Sequence, residues 1–73
     1  MNIKNKVKFR VGQDVYYDTN IGTTEMGTIN ELNMTIEGSE HLGRKFVRID
    51  TGRWKNGWPE FTTVTMNNIF PIL

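Results

Sequence analysis

The feature that most constrains the fold is the pair Asn56-Gly57, which lies between two β-prone runs. Residues 46–50 form a compact run of apolar and polar side chains, and residues 61–65 are all aromatic or β-branched. Asn-Gly is the pair most compatible with the two positive φ angles of a type I′ turn, which joins the strands of a β-hairpin. The stretch therefore predicts a hairpin at the centre of the fold.

Two registers of this hairpin remain open. Residues 50–52, Asp-Thr-Gly, can also turn the chain, which would give a wide loop over residues 50–60 in place of a long hairpin. Pro59 has no N–H and belongs at an edge or an irregular position, so it favours the wide loop. In either register Val47 and Ile49 are predicted to share the inward face.

The size and composition of the chain limit it to one small domain, residues 1–73. With no cysteine and one histidine, it has no disulfide, thiolate metal site or His-based zinc site of its own. No apolar run approaches the roughly 20 residues that cross a bilayer. The N-terminus lacks the apolar core of a signal peptide. We expect a cytoplasmic protein with no cofactor and no metal.

Residues 6–11 alternate polar and apolar side chains. Such alternation predicts a half-buried strand. Its inward face would carry Val7, Phe9 and Val11, and its outward face would carry the basic residues Lys6, Lys8 and Arg10.

The remaining chain predicts further short strands. Residues 15–17 and 27–32 are two of them. Because Ile29 and Leu32 lie three positions apart, they share a face of a strand only across a bulge or a sharp bend. An amphipathic helix is the competitor, but this stretch is rich in poor helix formers. Residues 66–72 are too few for a full helix and predict a 3₁₀ turn followed by a brief closing strand.

Five short strands without a helix predict an all-β fold, a small five-stranded barrel. The order of the β motifs resembles that of SH3-like barrels of the Tudor and KOW kind, over about residues 10 to 73. The motifs are Val11-Gly12-Gln13-Asp14-Val15-Tyr16-Tyr17, Gly27-Thr28-Ile29, Phe46-Val47-Arg48-Ile49-Asp50-Thr51-Gly52, Thr63-Val64 and Ile69-Phe70-Pro71-Ile72. The resemblance implies an SH3-like barrel and a binding module, and it leaves the ligand open.

Tudor domains that bind methylated side chains surround the cation with several aromatic rings. The resemblance offers five candidate rings for such a cage: Tyr16, Tyr17, Phe46, Trp54 and Trp58. Core packing is the expected role of Tyr17 and of at least one tryptophan, because a chain this short has little apolar mass.

Charge is unevenly distributed along the chain, although the net charge is only +1. Residues 1–13 carry Lys and Arg without acids, residues 14–43 carry acids without Lys or Arg, and residues 44–58 are again basic. Such segregation can give a molecule one basic and one acidic side.

The candidate binding surface combines basic residues with aromatic rings. Lys and Arg neutralise phosphates while flat rings stack on unpaired bases, so the mixture predicts a binding module associated with nucleic acid. The candidate residues are Lys6, Lys8, Arg10, Arg44, Lys45, Arg48, Arg53, Trp54, Lys55 and Trp58.

Other functions use the same residues differently. Exposed Trp, Tyr and Arg also anchor protein interfaces. The alternative is therefore a small accessory protein of a phage or mobile element that docks on a host protein and regulates it. A homo-oligomer that pairs through strand edges is a third possibility. Enzyme activity is not expected, since Ser39 and His41 share a Gly-flanked loop that would not fix their geometry.

Overall fold

A computed structural model describes residues 8–36 and 43–72 of the chain. Within these residues, five strands form one antiparallel sheet, with a single 3₁₀ turn as the helical element. The strands are β1 (Asp14–Asp18), β2 (Thr24–Met34), β3 (Phe46–Lys55), β4 (Trp58–Thr65) and β5 (Ile69–Pro71), and the 3₁₀ turn covers Met66–Asn68. The predicted all-β class, the terminal turn and the closing strand are confirmed.

The strands are arranged in the order β4-β3-β2-β1-β5. Strands β1 to β4 form a meander, and β5 returns to pair with β1, with Tyr16 opposite Phe70. Strands β4 and β5 are the two edges, so the described sheet is open and is not closed into the predicted barrel. In the described ranges no helix is long and apolar enough to cross a membrane.

One face of the sheet carries the hydrophobic core. Val15 and Tyr17 are buried while Tyr16 between them is 39% exposed, which is the period-two alternation that the sequence predicts. Val47 and Ile49 are buried on the same face, also as predicted. The core consists of Val15, Tyr17, Ile29, Val47, Ile49 and Ile69, and Phe9, Leu32, Val64 and Met66 pack partly buried against it.

The predicted bulge in β2 is confirmed. Ile29 pairs with Ile49, but Glu31 then pairs with Arg48, so β2 has one residue more than β3 across this step. The extra residue lets Leu32 pack against the same core as Ile29, three positions earlier.

The predicted strand at residues 6–11 is wrong over its described part. Residues 8–10 have no regular structure, and Val11, predicted to face inward, is 61% exposed in a turn. The backbone explains the difference. The Gly12 N–H donates to the Ile29 carbonyl at 2.8 Å, and the Ile29 N–H donates to the Gln13 carbonyl at 2.8 Å. Residues 12 and 13 thus both bond to Ile29. The Gln13 N–H then donates to the Arg10 carbonyl at 3.1 Å, so the chain turns over residues 10–13 and does not continue the ladder.

Gly27 lies on the core face, opposite Val15. A Cβ atom added there would overlap Cγ2 of Ile49 and lie 2.9 Å from the carbonyl oxygen of Asp50 and 3.1 Å from Cε1 of Tyr17. Because one of these neighbours is backbone, rotation of a side chain cannot relieve the crowding. The position therefore requires glycine.

We expect Gly27→Ala to lower the free energy of unfolding by about 1–3 kcal/mol, the typical cost of overpacking a core. Urea unfolding followed by far-UV circular dichroism measures it. Asn30→Ala, an exposed change on the same strand, is the control. Equal stability of the two variants would contradict the proposed role of Gly27.

Candidate binding surface at the hairpin tip

The chain adopts the long hairpin that turns at Asn56-Gly57. The φ angles of these residues are 54° and 81°, both positive as a type I′ turn requires. Lys55 pairs with Trp58 directly before the turn, so the expectation of a wide loop is wrong. Pro59 fits because β4 is an edge strand, where a missing donor on the outer side breaks no ladder.

The Asp-Thr-Gly signal forms an irregularity within β3 and does not reverse the chain. Asp50 pairs with Phe61, and Trp54 pairs with Pro59. Between these two pairs β3 advances four positions while β4 advances two. Gly52 has a φ of 81°, and its N–H donates to Oδ1 of Asp50 at 2.9 Å. The positive φ of Gly52 and its hydrogen bond to Asp50 are thus accommodated within β3, and both strands continue to the tip.

Both tryptophans are exposed, Trp54 to 71% and Trp58 to 73%. The expectation that one of them closes the core is wrong. Burial on β3 ends at Thr51, and residues 52–58 are all exposed. The tip therefore extends past the end of the core.

The two tryptophans lie on opposite faces of the hairpin. Directly opposite residues share a face, and successive residues alternate. Trp54 therefore shares a face with Pro59, and Trp58 shares the other face with Lys55. The tip presents one indole ring on each side.

Arg53 connects the tip to the sheet. Its Nη1 lies 2.8 Å from Oε1 of Glu25 on β2, and its Nε lies 3.0 Å from Oε2 of Glu60 on β4. The Thr51 hydroxyl also donates to Oε2 of Glu60, at 3.0 Å. One guanidinium thus holds carboxylates from the strands on either side of β3.

These contacts shift pKa values. The hydrogen bonds from Arg53 and Thr51, in that order, lower the pKa of Glu60 below its ordinary value. Hydrogen bonds to Glu25 and Glu60 raise the pKa of Arg53. Burial first, and Glu25 second, raise the pKa of Tyr17, so its hydroxyl stays neutral at physiological pH.

Only four of the candidate residues come together at the tip: Arg53, Trp54, Lys55 and Trp58. Arg44 and Lys45 are exposed at the other end of β3, about 30 Å away at the usual rise per residue. Lys8 and Arg10 are exposed in the segment before β1, and Lys6 lies outside the described residues. Arg48 forms an ion pair with Glu31 at 3.5 Å. The ten residues therefore do not form one basic patch.

Sequence reasoning missed Glu25 and Glu60 as partners of Arg53. They lie 28 positions before and 7 positions after it in the chain. Only the hairpin register and the strand order bring them to one point. An acidic residue on each flanking strand is the only signal that the sequence offers.

We expect the tryptophan emission maximum of the folded protein to lie close to that of free N-acetyltryptophanamide in the same buffer. The reason is that both indole rings are mostly in water. Urea should shift the maximum little, while far-UV circular dichroism follows unfolding. A strongly blue-shifted native spectrum would contradict the exposure of the tip.

We also expect Glu60 to make stability depend on pH. Because its folded-state pKa is lowered, its contribution is complete above the unfolded pKa of about 4.3 and is lost as pH falls through the folded value. Urea midpoints measured between neutral pH and about pH 3 should fall less for Glu60→Gln than for the unaltered chain. Glu31→Gln, at another exposed ion pair, is the control, and equal pH profiles for all three proteins would contradict the assignment.

Comparison with known proteins gives no relatives. No protein-family model matches the chain, and no curated protein and no solved structure matches it. What the chain does has to be inferred from its own residues.

Proposed function

We propose that this chain is a non-enzymatic binding module that docks on a partner protein through its hairpin tip, residues 52–58. The observation that carries the proposal is the exposure of Trp54 and Trp58 beyond the end of the core. Trp is among the residue types most enriched in the energetic hot spots of protein interfaces. Two exposed indoles in a chain of 73 residues are not explained by packing within the described fold.

The charges of the tip favour protein over nucleic acid. Arg53 is paired with Glu25 and Glu60. Lys55 is then the one tip cation without an acidic partner in the described parts of the chain. Affinity for a polyanion depends on several phosphates being neutralised together. A largely neutralised tip with two large rings is better suited to a protein surface.

The architecture that we propose for this module is the SH3-like barrel of the Tudor and KOW kind. The return of β5 to β1 after a 3₁₀ turn, following a four-strand meander, supports it. The tip does not suit a cage for a methylated side chain. Such a cage needs several rings around one cation, whereas Tyr17 is buried and the tryptophans are on opposite faces.

Association with nucleic acid is the second candidate. Lys55 lies directly opposite Trp58 on one face of the tip, which pairs a cation with a ring that can stack on a base. In this case binding would weaken steeply as salt increases. It would also be lost on replacing Lys55.

A pull-down with tagged chain tests the proposal. If the chain is an accessory protein of a phage or mobile element, the lysate is that of its host. We expect one protein to be captured with or without nuclease, and to be captured about tenfold less by Trp54→Ala or Trp58→Ala, as for a hot-spot residue. The control is Ile21→Ala, which removes an exposed apolar side chain from the turn between β1 and β2.

Three results would contradict protein docking: capture that nuclease abolishes, capture that survives both tryptophan changes, or equal loss with Ile21→Ala. Far-UV circular dichroism of each variant checks that the fold is intact. Binding of a labelled single-stranded oligonucleotide at low salt, lost in Lys55→Ala, would support the second candidate.

A further inference from the structure

The face of the sheet opposite the core, here called the outer face, carries apolar side chains in a row across three strands. On β1 and its neighbours, Tyr16 lies directly opposite both Met26 and Phe70. All three side chains are at least one-third exposed. Side chains on adjacent strands at opposite positions have Cβ atoms about 5 Å apart, so the three form a continuous strip.

Three carboxylates lie on the same face. Asp14 and Asp18 flank Tyr16 on β1, and Asp50 lies on β3. Each is held at one oxygen by a hydrogen bond. Oδ1 of Asp14 accepts from the Thr28 hydroxyl at 2.7 Å, Oδ1 of Asp18 from the Thr24 hydroxyl at 2.9 Å, and Oδ1 of Asp50 from the Gly52 N–H at 2.9 Å.

Asp14 and Asp50 stand on either side of one residue. Thr28 pairs with Asp14 on β1 and with Asp50 on β3. The backbones of Asp14 and Asp50 are therefore about 10 Å apart, which is twice the spacing between neighbouring strands. A shallow depression lies between them, lined by Asp14, Met26, Gly27, Thr28, Asp50, Thr51 and Gly52.

The depression has a structural cause. After Asp50, the next position of β3 that falls on the outer face is Gly52. Glycine has no side chain to fill the space there. Met26 on β2 is 55% exposed and lines the depression with an apolar side chain.

The charge of this face is one-sided. Residues 14–43, which include all of β1 and β2, contain no Lys or Arg. Arg48 is the basic residue of β3 closest in sequence to Asp50 on the outer face, and it is paired with Glu31. In the described ranges none of the three Asp carboxylates forms an ion pair.

We propose that the outer face is a second binding surface, for a positively charged peptide segment. A Lys or Arg side chain of the segment sits over Thr28 between Asp14 and Asp50. Its methylene stem lies against Met26, since long basic side chains cover apolar surface while their charge stays with polar partners. Charge complementarity commits the site to a basic peptide. Asp14, Met26 and Asp50, which carry the contacts, lie outside the hairpin tip.

The test uses a capped octapeptide of alternating Arg and Gly, titrated into isotopically labelled protein and followed by amide chemical shifts. We expect shifts at Asp14, Tyr16, Met26, Thr28 and Asp50. The indole N–H signal of Trp58, which lies on the other face of the hairpin, should not move. The corresponding Glu-Gly peptide should not bind.

Variants assign the contacts. Asp14→Asn and Asp50→Asn keep the hydrogen bonds at Oδ1 and remove the charge, so each should weaken binding about two- to fivefold, the range for exposed ion pairs. Glu60→Gln removes the same charge on the other face of the sheet, where Glu60 contacts Thr51, and should have no effect. Met26→Ser should weaken binding, whereas Ile21→Ser, in the turn, should not.

Several outcomes would overturn the proposal. They are an equal loss in Glu60→Gln, shifts confined to the tip indoles, absence of binding to the Arg-Gly peptide, and a single-stranded oligonucleotide that shifts the same outer-face amides. Dispersed amide spectra of all variants verify that each is folded. Because the reporters for the two surfaces differ, failure here leaves the proposed docking of the tip standing.

Discussion

The ion pairs of Arg53 with Glu25 and Glu60 tie the base of the hairpin tip to the rest of the sheet. An isolated two-stranded ribbon is marginal in water, and residues 52–58 have no core beneath them. Arg53 lies at the start of this stretch and ties it to both neighbouring strands. The exposed ion pairs contribute little to global stability. Their effect is local, because the guanidinium contacts one carboxylate on each neighbouring strand and so links β2, β3 and β4 at the base of the tip.

The net charge of +1 conceals an uneven surface. The acidic stretch of the sequence becomes an acidic and apolar outer face on β1 and β2. The basic stretches do not become a matching basic face. Arg44 and Lys45 lie before β3, Lys55 lies at its other end, and Arg48 and Arg53 are paired with acids. Segregation along the chain therefore yields one coherent surface, the acidic one. Sequence reasoning gave more weight to the basic residues.

Local sequence patterns predicted the fold correctly where one face of a strand is buried. Alternation at Val15 and Tyr17 and the three-residue spacing of Ile29 and Leu32 follow from one buried face, and both are confirmed. The same alternation at residues 6–11 correctly placed Phe9 against the core, but the strand that it predicted does not form over residues 8–11. Period two indicates which side chains share a face and not whether a partner strand is available. The prediction that Pro59 favours a wide loop was wrong for a related reason. The effect of Pro59 depends on whether β4 is an edge strand, which is set by strand order and not by local sequence.

The exposure of the tryptophans depends on how far the hairpin runs past the core, which no local pattern states. Once the register is known, their placement limits how the proposed docking can work. Trp54 and Trp58 lie on opposite faces of the same ribbon. A flat partner surface covers one face of a ribbon, and so buries one indole and leaves the other in water. A cleft that admits the tip between two walls buries both, and a turn of only Asn56 and Gly57 is narrow enough to enter first. The proposed function therefore favours a partner with a cleft over one with a flat surface.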